Sequence, residues 1–344
     1  MVQMEKAGKV GKAGKVGKAG KVGKNYFLIF PHFPISLSEG SDTDPYDEVK
    51  GQIKLFGMSS VWELDFYSRP ILDENQKKIW EVLVCESSLD IRQPTDSLFQ
   101  YASWCPNGQV NSIWLRTALE EAIAQSKQTP KKIRFFRRQM SNMIVKACEE
   151  LGIPAQASRR TYTMERWLQQ RIEDFYPNQP GYQATAAASS FVRYEPQTPQ
   201  PLPDALRYEK WAFVTLEAAA FEEMDEWDIN FGEAFPLSMI GLAPDARIPG
   251  IIIFSSRATA IAAWMSGLEL AFVRFESEPI ARLLLETGAS DSWILANIKD
   301  PQTLAEAKGF ESAKEKAGRV HFLAVQSSPT SEAFAGFWLM QELQ

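Results

Sequence analysis

The chain has 344 residues, 45% of them hydrophobic and 23% charged, the composition of a soluble globular protein long enough for two domains. Three cysteines (Cys85, Cys105, Cys148) with no CxxC spacing, and only two histidines, argue against a zinc site and fit a reducing compartment. The formal charge of −6 is unevenly spread: residues 1–24 hold seven lysines and one glutamate, so the remainder is strongly acidic, which excludes a broad nucleic-acid clamp but leaves room for one local basic face.

Residues 6–23 repeat Lys-Ala-Gly-Lys-Val-Gly three times. One glycine in three, together with like-charge repulsion, predicts a disordered cationic tail. The apolar run 26–37 is interrupted by Pro31, His32 and Pro34 and makes a poor secretory core. Residues 1–57 are expected to be an extension, a tag or a misplaced start.

From there the pattern predicts a domain over 58–194. Strand 61–71 alternates, with Trp62, Leu64 and Phe66 on one face and Glu63, Asp65 and Tyr67 on the other. Asp73–Gln76 makes a polar turn into strand 79–86, and strand 98–104 follows. Helix 112–126, strand 132–137, helix 139–151, a short strand near 155–159 and helix 163–175 complete it. Asn111 or Ser112 can cap the first helix, and Gly152 with Pro154 ends the second. Three hairpin-linked strands followed by alternating helix and strand is the order of a ribonuclease-H-like sheet.

Residues 195–204 hold four prolines and read as a semi-rigid linker. A second α/β domain is expected over 205–344: strand 211–216, helix 217–225, an ordered loop 226–249, strand 250–255, helix 257–267, strand 270–276, helix 279–287, strand 292–298, helix 301–317, strand 319–325 and a terminal helix near 330–342. The longest apolar stretch, 248–273, is broken by Ser255, Ser256, Arg257 and Glu269, which suits a buried strand plus helix rather than a membrane span.

Two motifs carry more than secondary structure. Trp62-Glu63-Leu64-Asp65-Phe66-Tyr67-Ser68-Arg69-Pro70, with Trp80 just behind, resembles the opening signature of the Tab/Atab family. These are chloroplast and cyanobacterial RNA-binding factors that support photosystem I translation and assembly. Phe334-Ala335-Gly336-Phe337-Trp338-Leu339-Met340 resembles that family's terminal Trp-Leu-Leu element, with Met340 in place of Leu. The resemblance runs from about Met58 to Gln344, which makes Met58 the expected natural first residue. It implies a non-catalytic protein without cofactor or metal. Its partners would be single-stranded RNA, messages for photosystem subunits, and translation or assembly proteins. It would act in the cytoplasm, or in the chloroplast stroma of a plastid-bearing organism.

The residues themselves offer one place for RNA. Stretch 127–171 holds eleven Lys/Arg and three acids, interleaved with Phe135, Phe136, Tyr162 and Trp167. Phosphates need cations, and unpaired bases stack on rings and guanidinium planes. Arg134, Arg137, Arg138, Arg159 and Arg160 fall on strands or at strand ends and are the candidate contacts. The bland alternative is a solvated charged face. A different class is a metal-dependent nuclease: Asp65 and Glu120 sit where a ribonuclease-H-like enzyme would place two carboxylates, but the fourth strand ends in Arg137-Arg138, which would repel metals. A third reading is an assembly scaffold without RNA contact, which requires the paired arginines to be dispersed or matched by acids.

Overall fold

The structure, a computed structural model, describes residues 11–12, 60–93, 97–184 and 197–343. Apart from the backbone of Gly11–Lys12, which pairs antiparallel with Trp211 and Lys210, the repeat tail and the rest of the 1–57 extension lie outside the described residues.

The N-terminal half builds a five-stranded sheet. Its strands are β1 (Val61–Leu72), β2 (Lys78–Glu86), β3 (Gln100–Cys105), β4 (Lys132–Phe135) and β5 (Ala155–Ala157). Their order is β3-β2-β1-β4-β5, with β1, β2 and β3 antiparallel neighbours and β4 and β5 parallel to β1. Helix α1 (Ser112–Ser126) joins β3 to β4, and α2 (Ser141–Glu149) joins β4 to β5. Asn111 caps α1 by accepting the Trp114 N–H at 2.9 Å, and Lys127 ends it in the left-handed region at φ 58°. Trp62, Leu64 and Phe66 meet Leu115 and Leu119 of α1 and Ile144 of α2 in one core.

The opposite face of the sheet is buried too. Helix α3 (Tyr162–Gln170) continues through a wider turn, Arg171–Phe175, and covers it. Met164, Leu168 and Tyr176 pack there on Leu83 and Cys85. Alternation in β1 suggests one solvated face; instead Glu63 and Asp65 lie beneath α3 with almost no exposure.

The second half holds two sheets. The larger runs β7 (Lys210–Glu217), β9 (Arg247–Phe254), β13 (Val320–Gln326), β14 (Phe334–Gln341) and β8 (Ile229–Glu233), with Gly11–Lys12 beyond β7. The smaller is a meander of β10 (Leu270–Glu276), β11 (Arg282–Thr287) and β12 (Asp291–Asn297), joined by β6 (Gln200–Pro201). Helices α4 (Ala258–Ser266) and α5 (Pro301–Lys316) contribute to the core between the sheets. A 3-10 helix, Ala218–Glu226, stands where an α-helix over 217–225 was expected, and Phe221 from it packs into a core on the other side of the larger sheet.

Two expected helices are strands instead. Residues 279–287 are not a helix: Arg282–Thr287 is the central strand of the meander. Residues 330–342 are not a helix either: Phe334–Gln341 is a strand between β13 and β8. Strands covered on both faces carry continuous apolar runs, which periodicity does not separate from a buried helix. Within the loop 226–249, Ile229–Glu233 forms the edge strand β8. The described part of the proline-rich segment is docked rather than free: Gln200–Pro201 pairs with β12, and Leu202 is buried.

Candidate nucleic-acid interface

The opening signature is a buried polar lattice. From β1, Asp65 accepts from Arg69 Nη1 at 2.8 Å and from Arg137 Nε on its other oxygen. Arg69 also donates from Nε to Glu81 at 2.9 Å, and Glu81 accepts from Tyr176 and Arg171. The Arg137 guanidinium lies 3.9 Å from the centre of the Tyr67 ring, a cation–π contact in a dry site. Burial alone would raise the Asp65 carboxyl, but Arg137 and Arg69 outweigh it and hold it below its usual range.

Glu63, two residues earlier, behaves in the opposite way. It accepts from Ser87 Oγ and from the Met164 N–H, each at 2.6 Å. Burial pushes its carboxyl up to about 7 against those bonds and against the more distant Arg134 and Arg160. Trp62 stacks on Phe99 with ring centres 5.2 Å apart, and Trp80 sits beside Phe66 and Tyr67. Pro70 is buried, and its carbonyl accepts from the Gln183 N–H. In the terminal motif, Trp338 and Leu339 are buried in β14, on opposite faces of the larger sheet.

Most of the candidate arginines are buried. Arg134, Arg137, Arg159 and Arg160 each expose 5% or less of their surface. All but Arg137 are spent on the second half of the chain. Arg134 donates from Nη2 to both oxygens of Glu233 (2.8 and 2.9 Å) and pairs through Nε with Glu269 at 2.6 Å. Arg160 pairs through Nε with Glu233 at 2.6 Å and donates from Nη2 to the Leu339 carbonyl at 2.9 Å. Arg159 reaches Glu286 at 3.2 Å and the Thr287 carbonyl at 3.0 Å. Lys132 and Ser158 both bond Glu269. Of the five candidate arginines only Arg138 is exposed. Four of the five candidate arginines are thus buried and paired with acids distant in sequence, which neutralise them in the fold.

Convergence itself is real. Lys132 and Arg134 project from the same side of β4, and Arg159 and Arg160 follow directly on its neighbour β5. Arg134 and Arg160 meet on one carboxylate, Glu233. That carboxylate resists protonation: burial works against it, but the two guanidiniums lower its pKa to about 2. Glu233, Glu269 and Glu286 were missed by the sequence reading; their signal, three acids in apolar strand contexts, is too common to select them. Exposed cations of the same stretch are Lys127, Lys131, Arg138, Lys146 and Arg166.

Asp65 faces α3, whereas Glu120 lies on α1, across the sheet, exposed and paired with Arg116 at 3.5 Å. Both Asp65 oxygens already carry guanidinium bonds. Among the described residues no group of three His, Cys, Asp or Glu is placed to hold a metal ion, and no helix is long and apolar enough to cross a membrane.

Two family profiles match the chain in turn. Residues 61–171 match the family profile "RNA-binding protein Tab2/Atab2 N terminal", and residues 189–341 match "RNA-binding protein Tab2/Atab2, C-terminal domain". A chloroplastic TAB2 homolog of Arabidopsis thaliana is 40% identical over 290 residues, covering 82% of this chain and 74% of that protein. A chloroplastic TAB2 homolog of Zea mays is 37% identical over 289 residues, covering 82% and 71%.

Proposed function

The chain belongs to the Tab2/Atab2 family of RNA-binding proteins, and from that premise we propose that it binds single-stranded RNA without cleaving it and so supports translation or assembly of photosystem reaction-centre subunits. Its place of action is the chloroplast stroma, as for the chloroplastic relatives, or the equivalent cytoplasm of a cyanobacterium. The observation that carries the reading is that both halves of the chain match an RNA-binding family along nearly their whole length. The order of the five-stranded sheet is compatible with a ribonuclease-H-like domain that has kept the topology and replaced its metal carboxylates by an Asp65–arginine lattice.

In this reading the exposed cations Lys127, Lys131, Arg138, Lys146 and Arg166 supply the sequence-independent phosphate contacts, while the buried arginines fix the two halves relative to one another. The scaffold reading draws on one observation: Arg137, Arg159 and Arg160 are matched by acids. Binding of a labelled single-stranded oligonucleotide by a chain starting at Met58, which lacks the seven tail lysines, decides between them. About four phosphate contacts predict that log affinity falls with log salt at a slope near −3. No binding favours the scaffold.

A further inference from the structure

Among the described residues, edge strand β8 pairs only with β14, and it ends at Glu233. Glu233 is the one acid of the arginine junction within reach of solvent: its side chain is 26% exposed, against 2% for Glu269 and 1% for Glu286. Beneath it two guanidiniums converge. Arg134 grips both its oxygens at 2.8 and 2.9 Å, and Arg160 pairs with one of them at 2.6 Å. A carboxylate held this way by two arginines, its two oxygens shared by Arg134 Nη2 and one of them also met by Arg160 Nε, offers the single negative charge and paired acceptor oxygens that a phosphodiester also offers. The junction also has an unspent donor: Arg134 Nη1 is buried and has no hydrogen-bond partner. A buried cationic N–H without an acceptor is costly, and a third acceptor oxygen, which an RNA strand offers in the ribose 2′-hydroxyl beside its two anionic phosphate oxygens and a carboxylate does not, would meet it.

We propose that the Arg134–Arg160 fork is a phosphodiester site for single-stranded RNA, and that Glu233 is its built-in stand-in. The RNA backbone takes the fork when the Glu233 side chain swings out from the strand edge. Glu269 and Glu286 keep the two halves together meanwhile, so no separation of domains is needed. The site rests on the RNA-binding reading given above and names a contact within it. Glu233 lowers apparent affinity by competing with the ligand, so only the fraction of molecules with the side chain displaced is competent. Specificity follows from the same exchange: an isolated anion gains one fork, whereas a strand gains the fork and the neighbouring exposed cations together.

The test uses the full chain, its Glu233→Gln variant and a twelve-nucleotide uridine oligomer as probe. Glutamine cannot neutralise the fork, so the variant should bind the oligomer at least about tenfold more tightly. Its melting temperature should be lower than that of the unsubstituted chain without RNA, and should rise further on adding the oligomer. The tail lysines are common to both proteins and cancel. A folded variant with unchanged or weaker affinity overturns the proposal while leaving RNA binding itself intact. Should the variant not fold, photo-crosslinking of the unsubstituted chain decides: crosslinks in the peptide holding Ile229–Glu233 support the site, and crosslinks confined to other peptides overturn it. Absence of binding by both proteins overturns the RNA reading itself.

Discussion

Arg160 Nη2 donates to the main-chain carbonyl of Leu339 at 2.9 Å, joining two residues 179 positions apart. One belongs to the basic stretch of the first half and the other to the terminal Trp-Leu motif. The same guanidinium holds Glu233, and Gln341 donates its N–H to Tyr162 of the following helix at 3.1 Å. The basic stretch and the terminal motif of the family are thus parts of one junction.

Removing Arg160 should therefore destabilise the whole chain. Arg160→Ala frees the Leu339 carbonyl and strips Glu233 of one cation; loss of charge-assisted bonds of this kind costs about 2 kcal/mol or more. Arg160→Lys should not restore it, because a single ammonium does not reproduce a planar fork that serves two acceptors. Urea unfolding of the three proteins checks this. Equal stability of Lys and Arg would contradict it.

A deeper loss is expected for Arg137→Ala. It leaves Asp65 buried with half of its compensation, a situation that costs about 3–5 kcal/mol. Adding Asp65→Asn to Arg137→Ala should recover part of the loss, since the stranded charge is gone. A double-mutant cycle that finds strict additivity would show that the pair is not coupled.

Glu63 sets a pH dependence of opposite sign to that of its neighbours. In the unfolded chain its carboxyl ionises near 4.5, and in the fold only near 7. Below both values it is protonated in both states and contributes nothing. As pH rises from 4.5 to 7 the unfolded state ionises first, and stability falls by about 3 kcal/mol before levelling off. Glu233, whose pKa is lowered to about 2, contributes stability above about 4.5 that is lost only as pH falls toward 2. Stability measured between pH 5 and 8 should decline in the unsubstituted chain, and the Glu63→Gln variant should lack that decline. Parallel curves would refute the assignment.

Gly336 lies in β14, and a Cβ there would come within 2.4 Å of the Trp338 ring and 2.9 Å of the Ala262 Cβ. Gly336→Ala should cost about 1–3 kcal/mol through overpacking, seen as a lower thermal midpoint with RNA affinity per folded molecule retained. Indifference to the extra methyl would mean that Trp338 has space to move.

Much of the fold was legible. Helix 112–126 matches Ser112–Ser126, and the strand pair 61–71 and 79–86 matches to within a residue or two, because their periods and caps are local features. Residues 282–287 and 334–341 were not legible as strands, because both faces are buried and their apolar runs have no period to read. The candidate site was half legible. The clustering of Arg134, Arg159 and Arg160 follows from adjacent strands, and strand adjacency can be argued from order. Their burial depends on Glu233, Glu269 and Glu286, which arrive from a different domain with nothing local to announce them. Glu63 and Asp65 were placed on the correct face of β1, but the helix that covers this face lies about a hundred residues downstream.

Both Asp65 oxygens are held by guanidiniums, and a further expected outcome rests on this. Labelled single-stranded RNA incubated with the protein and Mg²⁺ or Mn²⁺ should remain intact. Cleavage that disappears in Asp65→Asn would restore the nuclease reading.

The central claim is that the folded body, not the lysine tail, binds RNA. Ultraviolet crosslinking of a single-stranded oligonucleotide to the full chain, followed by peptide mapping, tests it most directly. The account predicts crosslinked peptides within 127–171 and around Glu233, surviving competition by duplex RNA. Crosslinks restricted to residues 1–24, or none at all, would contradict it.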